Sequence, residues 1–330
     1  MVKIVSVPKL SNNGPMDHPT PASTPPSNDA QAPDQLRLVR TRYGDMFVHE
    51  RVDLVSKSLL DYGEWAQNEL DAFARFIDPG SVVFDIGAYI GSHSRAFSQI
   101  TGHSGAVFSF EPHPWSFQIL LENIRIGPLS NITAIETALG DFDGIAFLNC
   151  AVSENDGASH LSQHPATSAH GYRARVQRLD DLLLEFRSKL SFVKIDVEGY
   201  EGRVLIGAEN IIDKYRPIIY AEANTLTASH SLLGWVNNHD YQAFGLCAKA
   251  FNPANLNGAT ENIFGSALEC GLLCIHRDQV ARHASSIAAL GLLIIRDMDD
   301  LAATLCLAPQ YIELLAERQR NMRLIGNKAN

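Results

Sequence analysis

Short apolar runs that end at an acidic residue are the main pattern of the chain. The clearest occupies residues 82–86, contains Asp85, and is followed at once by Gly87 and Gly91. A run of this kind without polar alternation predicts a parallel strand buried on both faces. The glycines predict a tight turn into a helix over residues 92–100, where backbone can approach a ligand closely.

Four later apolar runs, each followed by an acid, repeat this arrangement at residues 106–110, 132–137, 192–195 and 217–221. Two closing strands, at 241–246 and 271–276, have no obvious helix between them. The order predicts an α/β fold with a mostly parallel sheet and an antiparallel edge hairpin. Ligands of such sheets bind at the carboxyl ends of the strands, where we expect five acids to gather: Asp85, Glu111, Asp141, Asp196 and Glu222.

The rest of the chain predicts smaller elements around this sheet. We expect a hairpin over 36–49, helices over 67–77, 115–126, 179–186 and 232–238, and hairpin strands within a polar insertion at 145–177. Long polar insertions in α/β enzymes commonly face the substrate. Residues 279–330 predict mostly amphipathic helix, packed against the main domain or against another subunit of a homo-oligomer.

The first 35 residues contain a Pro-, Ser- and Asn-rich stretch, residues 11–35, with almost nothing that can be buried. Such a segment cannot offset its own ordering entropy, which predicts a disordered leader. We therefore divide the chain into a leader at 1–35, a catalytic domain at 36–277 and a helical C-terminal extension at 278–330.

Composition narrows the class of protein. A net charge of −10 over 330 residues argues against non-specific binding to nucleic acid or to an anionic membrane surface. The five cysteines lack zinc-site spacing and predict reduced, mostly buried thiols. No apolar run reaches membrane-span length and no signal-peptide pattern opens the chain, so we expect a cytoplasmic protein.

Glu111 gives the first indication of a ligand. It follows a predicted strand and lies 20 residues beyond Gly91. In doubly wound folds an acid at this position binds ribose hydroxyls. A solvated glutamate at a strand end is the alternative interpretation. The combination of turn and acid favours a nucleotide-type ligand.

Five motifs occur in order: GEW at 63–65, VFDIGA at 83–88, FEP at 110–112, ALGD at 138–141 and KIDVEGYE at 194–201. Together they resemble the FkbM family of S-adenosylmethionine-dependent methyltransferases, over about residues 62–277. FNPAN at 251–255 and ENIFG at 261–265 look like a branch often found beside sugar and polysaccharide biosynthesis. The resemblance implies a Rossmann-like seven-stranded sheet, S-adenosylmethionine as the cofactor, and methyl transfer to a hydroxyl oxygen.

The resemblance also implies roles for individual residues. The residues expected near the cofactor are Glu64, Trp65, Asp85, Gly87, Ala88, Gly91, Glu111, Pro112, Gly140, Asp141 and Asp196. Among them, Asp85, Gly87 and Gly91 would border the methionine end, Glu111 the ribose and Asp141 the adenine. Relatives usually have Asn where this chain has Tyr89, and because Tyr tolerates left-handed backbone poorly, we expect a reshaped or strained turn.

The catalytic candidates are Asp196, Glu198 and Glu222, any of which could orient or deprotonate an acceptor hydroxyl. His160, His164 and His170 in the polar insertion are weaker candidates. The three acids also offer oxygen ligands to a divalent metal, but no ligand motif is present and we assign none.

The sequence therefore predicts an O-methyltransferase that acts on a sugar hydroxyl of a glycan or glycosylated metabolite. A non-sugar secondary metabolite as acceptor, and a non-catalytic binding module, remain alternatives. A nicotinamide-dependent oxidoreductase would need a G-x-G-x-x-G turn, and Gly87 and Gly91 do not have that spacing.

Overall fold

The computed structural model describes residues 36–49, 53–128, 130–149, 160–162, 171–182, 184, 186, 188–223 and 226–307. The predicted leader and the part of the C-terminal extension after residue 307 lie outside these ranges. None of the described helices is both long and apolar enough to cross a membrane.

Fourteen strands and ten α-helices are formed by the described residues. The strands are β1 (Leu36–Thr41), β2 (Gly44–His49), β3 (Val82–Ile86), β4 (Ala106–Phe110), β5 (Ile132–Ile135), β6 (Ala138–Leu139), β7 (Gly144–Asn149), β8 (His160–Ser162), β9 (Gly171–Gln177), β10 (Leu190–Ile195), β11 (Ile218–Glu222), β12 (Tyr241–Lys249), β13 (Leu268–His276) and β14 (Leu293–Ile295). The helices are α1 (Leu54–Tyr62), α2 (Gln67–Phe73), α3 (Ser92–Thr101), α4 (Pro114–Arg125), α5 (Glu201–Ile206), α6 (Glu209–Tyr215), α7 (Leu226–Asn238), α8 (Arg277–Val280), α9 (Ala284–Ala289) and α10 (Met298–Leu307).

The main sheet has eight strands in the order β14-β12-β13-β11-β10-β3-β4-β5. β5, β4, β3, β10 and β11 are parallel, and β13, β12 and β14 are each antiparallel to their neighbours. The mostly parallel α/β sheet with its closing hairpin is confirmed.

The described part of the C-terminal extension is mostly helical, as predicted, but it also contains the short strand β14. β14 pairs with β12 as an eighth strand, so the hairpin of β12 and β13 does not form the sheet edge. The short apolar run LLII at residues 292–295 is a strand signal that the helical interpretation overlooked. Leu301 of α10 is buried in the core, so this part of the extension packs on the main domain.

The polar insertion forms a second sheet in the order β6-β9-β7-β8, and its expected hairpin is the antiparallel pair of β7 and β9. The helix predicted over 179–186 is wrong for the residues described there (179–182, 184 and 186), which form only a 3₁₀ turn at Leu179–Asp181. The Asp180 carboxylate instead accepts hydrogen bonds from the amides of Asn210 and Ile211, at 3.0 Å each. It thus satisfies free amides in the first turn of α6.

Alternation along the strands divides the core between the two faces of the main sheet. Phe192 packs with Phe73 of α2 and Phe97 of α3 on one face. Val193 and Ile195 pack on the other face, which α5 and α7 cover. Because side chains of a strand point alternately to opposite faces, Lys194 is directed to the face of Phe192. A charged group is thereby buried beneath α2 and α3.

Candidate functional site

A cavity of about 320 Å³ opens at the carboxyl edge of the main sheet. The turns after β3, β4 and β10 and the end of β11 border it, as expected for ligands of open α/β sheets. Leu148 and Leu161 of the second sheet also line it, so the polar insertion does contribute to the cavity. Trp65, Phe264 and Ala267 lie on the wall formed by the chain after α1 and the segment between β12 and β13.

The turn after β3 is held by the end of β4. The amides of Gly87 and Ala88 both donate to the Phe110 carbonyl at 3.0 Å. The Tyr89 amide donates to Glu111 Oε2 at 2.8 Å, and the His113 amide donates to Glu111 Oε1 at 2.7 Å. Tyr89 has a φ of +49°, so the left-handed backbone expected at this departure from the family is present. Glu111 is thus aimed and held at the cavity by two backbone amides.

Glycine at position 87 is required by close packing. A Cβ placed on Gly87 would lie 1.8 Å from the Asp196 carbonyl oxygen, and its φ is +83°. We expect Gly87→Ala to reduce the free energy of unfolding by about 2–4 kcal/mol, because the turn and β10 would have to separate. Gly102→Ala is the matched control, since Gly102 also has a positive φ but no atom lies within 4 Å of its Cβ position. Equal losses in urea unfolding of the two variants would contradict this explanation.

Asp85, Lys194 and Tyr220 stand in register across β3, β10 and β11. Lys194 Nζ lies 3.8 Å from Asp85 Oδ1 and 3.0 Å from Asp196 Oδ2, and it is only 2% exposed. Burial acts to lower the pKa of Lys194, but Asp196 and Asp85 outweigh it and the pKa is raised. The ammonium is therefore a permanent charge beneath the cavity floor.

Asp85 does not line the cavity, contrary to its expected place at the methionine end. Its side chain points into the sheet face under α3, where Ser94 Oγ donates to Oδ2 at 2.6 Å. Ser94 Oγ also lies 2.7 Å from Ser109 Oγ of β4. Asp85 therefore ties α3 to the sheet and balances Lys194, which is a structural role.

The three catalytic candidates do meet at the cavity. Carboxylate oxygens of Asp196, Glu198 and Glu222 all lie within 4.8 Å of one another. Glu198 stands in the turn after β10 with a φ of +53°. The amides of this turn are held by another acid, because Glu201 Oε1 accepts from Val197 N at 3.3 Å and from Gly199 N at 3.0 Å.

The surroundings shift the pKa values of Asp196 and Glu222 in opposite directions. Burial, and next the charge of Asp196, raises the pKa of Glu222 well above its usual range, which favours its protonated form. Burial also acts to raise the pKa of Asp196, but Lys194 and a hydrogen bond from Glu222 outweigh it, and the pKa is lowered. The opposite shifts favour Asp196 as the ionised partner of Lys194 and Glu222 as the group of the pair that binds the proton more tightly.

Three further titratable residues at the cavity were not identified from the sequence: Glu69 on α2, His93 on α3 and Glu269 on β13. Burial raises the pKa of Glu69 to about 7 and that of Glu269 to about 8, and it lowers the pKa of His93 to about 3. His93 Nε2 lies 3.2 Å from Glu69 Oε2, and because the imidazole is neutral this contact is a hydrogen bond and not an ion pair.

Glu64 is also absent from the cavity lining. Its carboxylate accepts from Arg42 Nε at 2.8 Å, from Asn252 Nδ2 at 2.7 Å and from the Leu256 amide at 3.2 Å. It therefore ties the β1–β2 hairpin to the segment between β12 and β13. The neighbouring Trp65 reaches the cavity and lies edge-on to Phe264, with ring centroids 6.0 Å apart.

Gly91, Gly140 and Asp141 lie outside the lining as well. Gly91 caps the start of α3 at a φ of +91°, and a Cβ there would meet Leu120 at 2.6 Å. Asp141 forms an ion pair with Arg203, both of its oxygens lying 3.3 Å from Nη1. The expected cofactor residues that do reach the cavity are Trp65, Gly87, Ala88, Glu111, Pro112 and Asp196.

Among the histidine candidates, His164 and His170 lie outside the described residues, as does the side chain of His160. Lys194 and Glu269 carried a sequence signal, since each is a charged residue beside or within an otherwise apolar strand. Glu69 carried none, because its position on the helix resembles a solvated face.

Comparison with known proteins finds one family model that matches part of the chain. Residues 85–243 match the model of the methyltransferase FkbM domain. A hexuronic acid methyltransferase, AglP of Haloferax volcanii, is 28% identical over 140 residues, which are 42% of this chain and 54% of that protein. The chain thus spans about half the length of this curated relative.

Two solved structures are similar to this chain at a low level. A methyltransferase FkbM from Methylobacillus flagellatus has a TM-score of 0.37 at 18% identity, over 60% of this chain and 44% of that one. A precorrin-6y C5,15-methyltransferase from Geobacter metallireducens has a TM-score of 0.37 at 16% identity, over 63% and 85%. Neither likeness bears on the substrate. Residues 85–243, just under half of this chain, thus carry the similarity to the methyltransferase FkbM domain.

Proposed function

We propose that this protein is an S-adenosylmethionine-dependent O-methyltransferase that methylates a sugar hydroxyl of a glycan or glycosylated metabolite. The observation that carries the proposal is one cavity in which Glu111, held by two backbone amides, and the acid cluster of Asp196, Glu198 and Glu222 are both present. The family match supports methyl transfer. The sugar rests on the resemblance of the 251–265 segment and on the relative that acts on hexuronic acid.

The lining has the donor and acceptor groups that this cofactor needs. The carboxylate of Glu111 suits two ribose hydroxyls, and Ala138, Leu139 and Leu148 form an apolar wall suited to an adenine ring. At the other end, Asp196 supplies negative charge for a cationic sulfur. When bound, S-adenosylmethionine supplies a methyl group activated by its sulfonium.

The protein's own part is to position the acceptor and to accept its proton. The raised pKa of Glu222 favours its protonated form, and Asp196 is an ion-pair partner of Lys194 and hence a weak base. Glu198 is therefore the residue that we assign to the acceptor hydroxyl. Since methyl transfer is an in-line displacement, most of the rate acceleration should come from holding that hydroxyl in line.

Removal of the Glu111 carboxylate tests the cofactor assignment. We expect Glu111→Ala to weaken S-adenosylhomocysteine binding by about 1.5–3 kcal/mol, because hydrogen bonds from both ribose hydroxyls would be lost. Asp141→Ala is the control, since Asp141 pairs with Arg203 away from the cavity, and its affinity should be unchanged.

Isothermal titration calorimetry of both variants, beside wild type with S-adenosylhomocysteine and with NAD, gives the measurement. A folded Glu111→Ala variant with wild-type affinity would refute the ribose role. Binding of NAD in preference to S-adenosylhomocysteine would refute the proposed function.

A further inference from the structure

The cavity has far more acidic than basic groups. Six acids line it among the described residues, namely Glu69, Glu111, Asp196, Glu198, Glu222 and Glu269, beside a single lysine or arginine, Lys194. That lysine is engaged, because its Nζ lies between Asp196 and Asp85 and it is almost fully buried. The one lysine or arginine of the described lining is therefore already paired with two carboxylates, and a ligand carboxylate would find no other.

The acids are concentrated on the acceptor side. Glu111 belongs to the ribose end, while Glu198, Glu222 and Glu269 border the side opposite β4, around the end of β11 and the start of β13. Glu222 Oε2 is buried and has no hydrogen-bond partner among the described residues. A buried hydrogen-bond acceptor in this position favours a ligand that donates a hydrogen bond to it.

An aromatic wall completes this side. Trp65 and Phe264 line the cavity in edge-on contact, and Tyr62 packs behind Phe264 with ring centroids 5.7 Å apart. Tyr62 Oη also donates to the Glu261 carbonyl at 2.8 Å and accepts from the Ile263 amide at 2.9 Å. The wall is thus fixed in place, and a ring face bordered by oxygen acceptors suits the apolar face and hydroxyl edge of a sugar.

We propose that the acceptor subsite bounded by Trp65, Phe264, Glu198, Glu222 and Glu269 takes a sugar without a carboxylate and discriminates against hexuronic acids. The inference rests on the proposed function and narrows its substrate class. Hydroxyl groups can donate to the carboxyl oxygens, whereas a uronate would lose its hydration and bring a further negative charge into a site where burial already disfavours such charge. The substrate class would then differ from that named for the Haloferax volcanii relative.

The raised pKa values of Glu222 and Glu269 fit this discrimination. Burial is the main cause in both, and the charge of Asp196 adds to it. The pKa of Glu269 is raised to about 8 and that of Glu222 is shifted in the same direction, so negative charge is disfavoured at both positions. A further carboxylate would add to that electrostatic cost.

Matched sugar probes test the charge preference without the need to know the natural acceptor. The probes are methyl glycosides in the gluco, galacto and manno series, each as the neutral hexoside, the hexuronide and the hexuronide methyl ester. Binding to the protein saturated with S-adenosylhomocysteine is measured at pH 8 by ligand-observed NMR, with EDTA and again with Mg²⁺. The ester matters because it removes the charge of the hexuronide and keeps its shape.

We expect the hexoside and the ester of at least one series to bind about tenfold or more tightly than the free hexuronide. Glu269→Gln should narrow that gap by about threefold or more, while Glu209→Gln, on the outer helix α6, should leave it unchanged. A hexuronide that binds as tightly as its ester, with or without Mg²⁺, would overturn the inference and leave the proposed function intact. If S-adenosylhomocysteine binds but none of the sugars does, both the inference and the assignment of a sugar as the acceptor would be overturned. Failure of S-adenosylhomocysteine to bind would refute the proposed function itself.

Discussion

Replacement of Lys194 by methionine is expected to destabilise the fold by about 3–5 kcal/mol at pH 8, because it leaves buried carboxylates without their cation. Lys194 Nζ lies 3.0 Å from Asp196 and 3.8 Å from Asp85, and Asp85 is completely buried. Methionine nearly preserves the volume of the lysine side chain, so the loss would report on charge and not on a cavity. Urea unfolding measures the difference.

The pH dependence of this loss identifies its cause. In the wild type, burial acts to raise the pKa of Asp196, but Lys194 and a hydrogen bond from Glu222 outweigh it and hold the pKa below its usual value. Without Lys194, the pKa of Asp196 in the folded state should rise above its unfolded value. A carboxyl group shifted in that direction loses stability as the pH rises, so the deficit should shrink as the pH falls from 8 towards 5.

Lys189→Met is the control for Lys194→Met, because Lys189 is an exposed lysine immediately before β10. Its effect should stay within about 0.5 kcal/mol at either pH. If Lys194→Met lost the same stability at pH 8 and at pH 5, packing and not charge balance would be the cause. A loss below about 1 kcal/mol at pH 8 would show that the carboxylates do not depend on the ammonium.

Glu198→Gln is expected to reduce methyl transfer by about 100-fold or more while S-adenosylhomocysteine affinity is retained. Glutamine keeps the shape and hydrogen-bonding capacity of glutamate but cannot accept the hydroxyl proton. The alternative, that Glu198 merely caps its turn, is disfavoured because the amides of Val197 and Gly199 donate to Glu201. Single-turnover methylation of the best acceptor, beside cofactor titration on the same variant, separates the chemical step from binding.

Glu201→Gln is the matched control. Glu201 lies only three residues after Glu198 but holds the turn and is not assigned to the acceptor hydroxyl. Glu201 is buried under the turn. Its replacement should lower the free energy of unfolding, and it should reduce activity only as far as the turn is displaced. Near-normal turnover of Glu198→Gln would remove Glu198 as the base. Asp196 or Glu222 would then have to accept the proton in spite of the ion pair of Asp196 and the favoured protonation of Glu222.

Local pattern was enough to predict the scaffold and to place six of the eleven expected cofactor residues at the cavity. Apolar runs of strand length specify buried strands wherever they lie, so β3, β4, β10 and β11 were predictable, and the residues immediately after them had to reach the carboxyl edge. Glu111, Asp196, Glu198 and Glu222 were therefore placed correctly at the cavity from sequence alone. Their separate roles were not determined, because all three acids of the cluster are chemically alike until burial and Lys194 distinguish them.

Tertiary structure decided which neighbouring residues serve the fold instead of the cavity. Glu64 and Trp65 are adjacent in sequence, yet one anchors Arg42 and Asn252 and the other lines the cavity. Asp85 faces Ser94 of α3 and also Lys194, which is distant in sequence and is brought near by the register of β3 and β10. The approach of Glu69 and Glu269 to the same cavity depends on how α2 and β13 pack on the main sheet. Contacts between distant segments leave no periodic signal in either segment, and only the assembled sheet determines them.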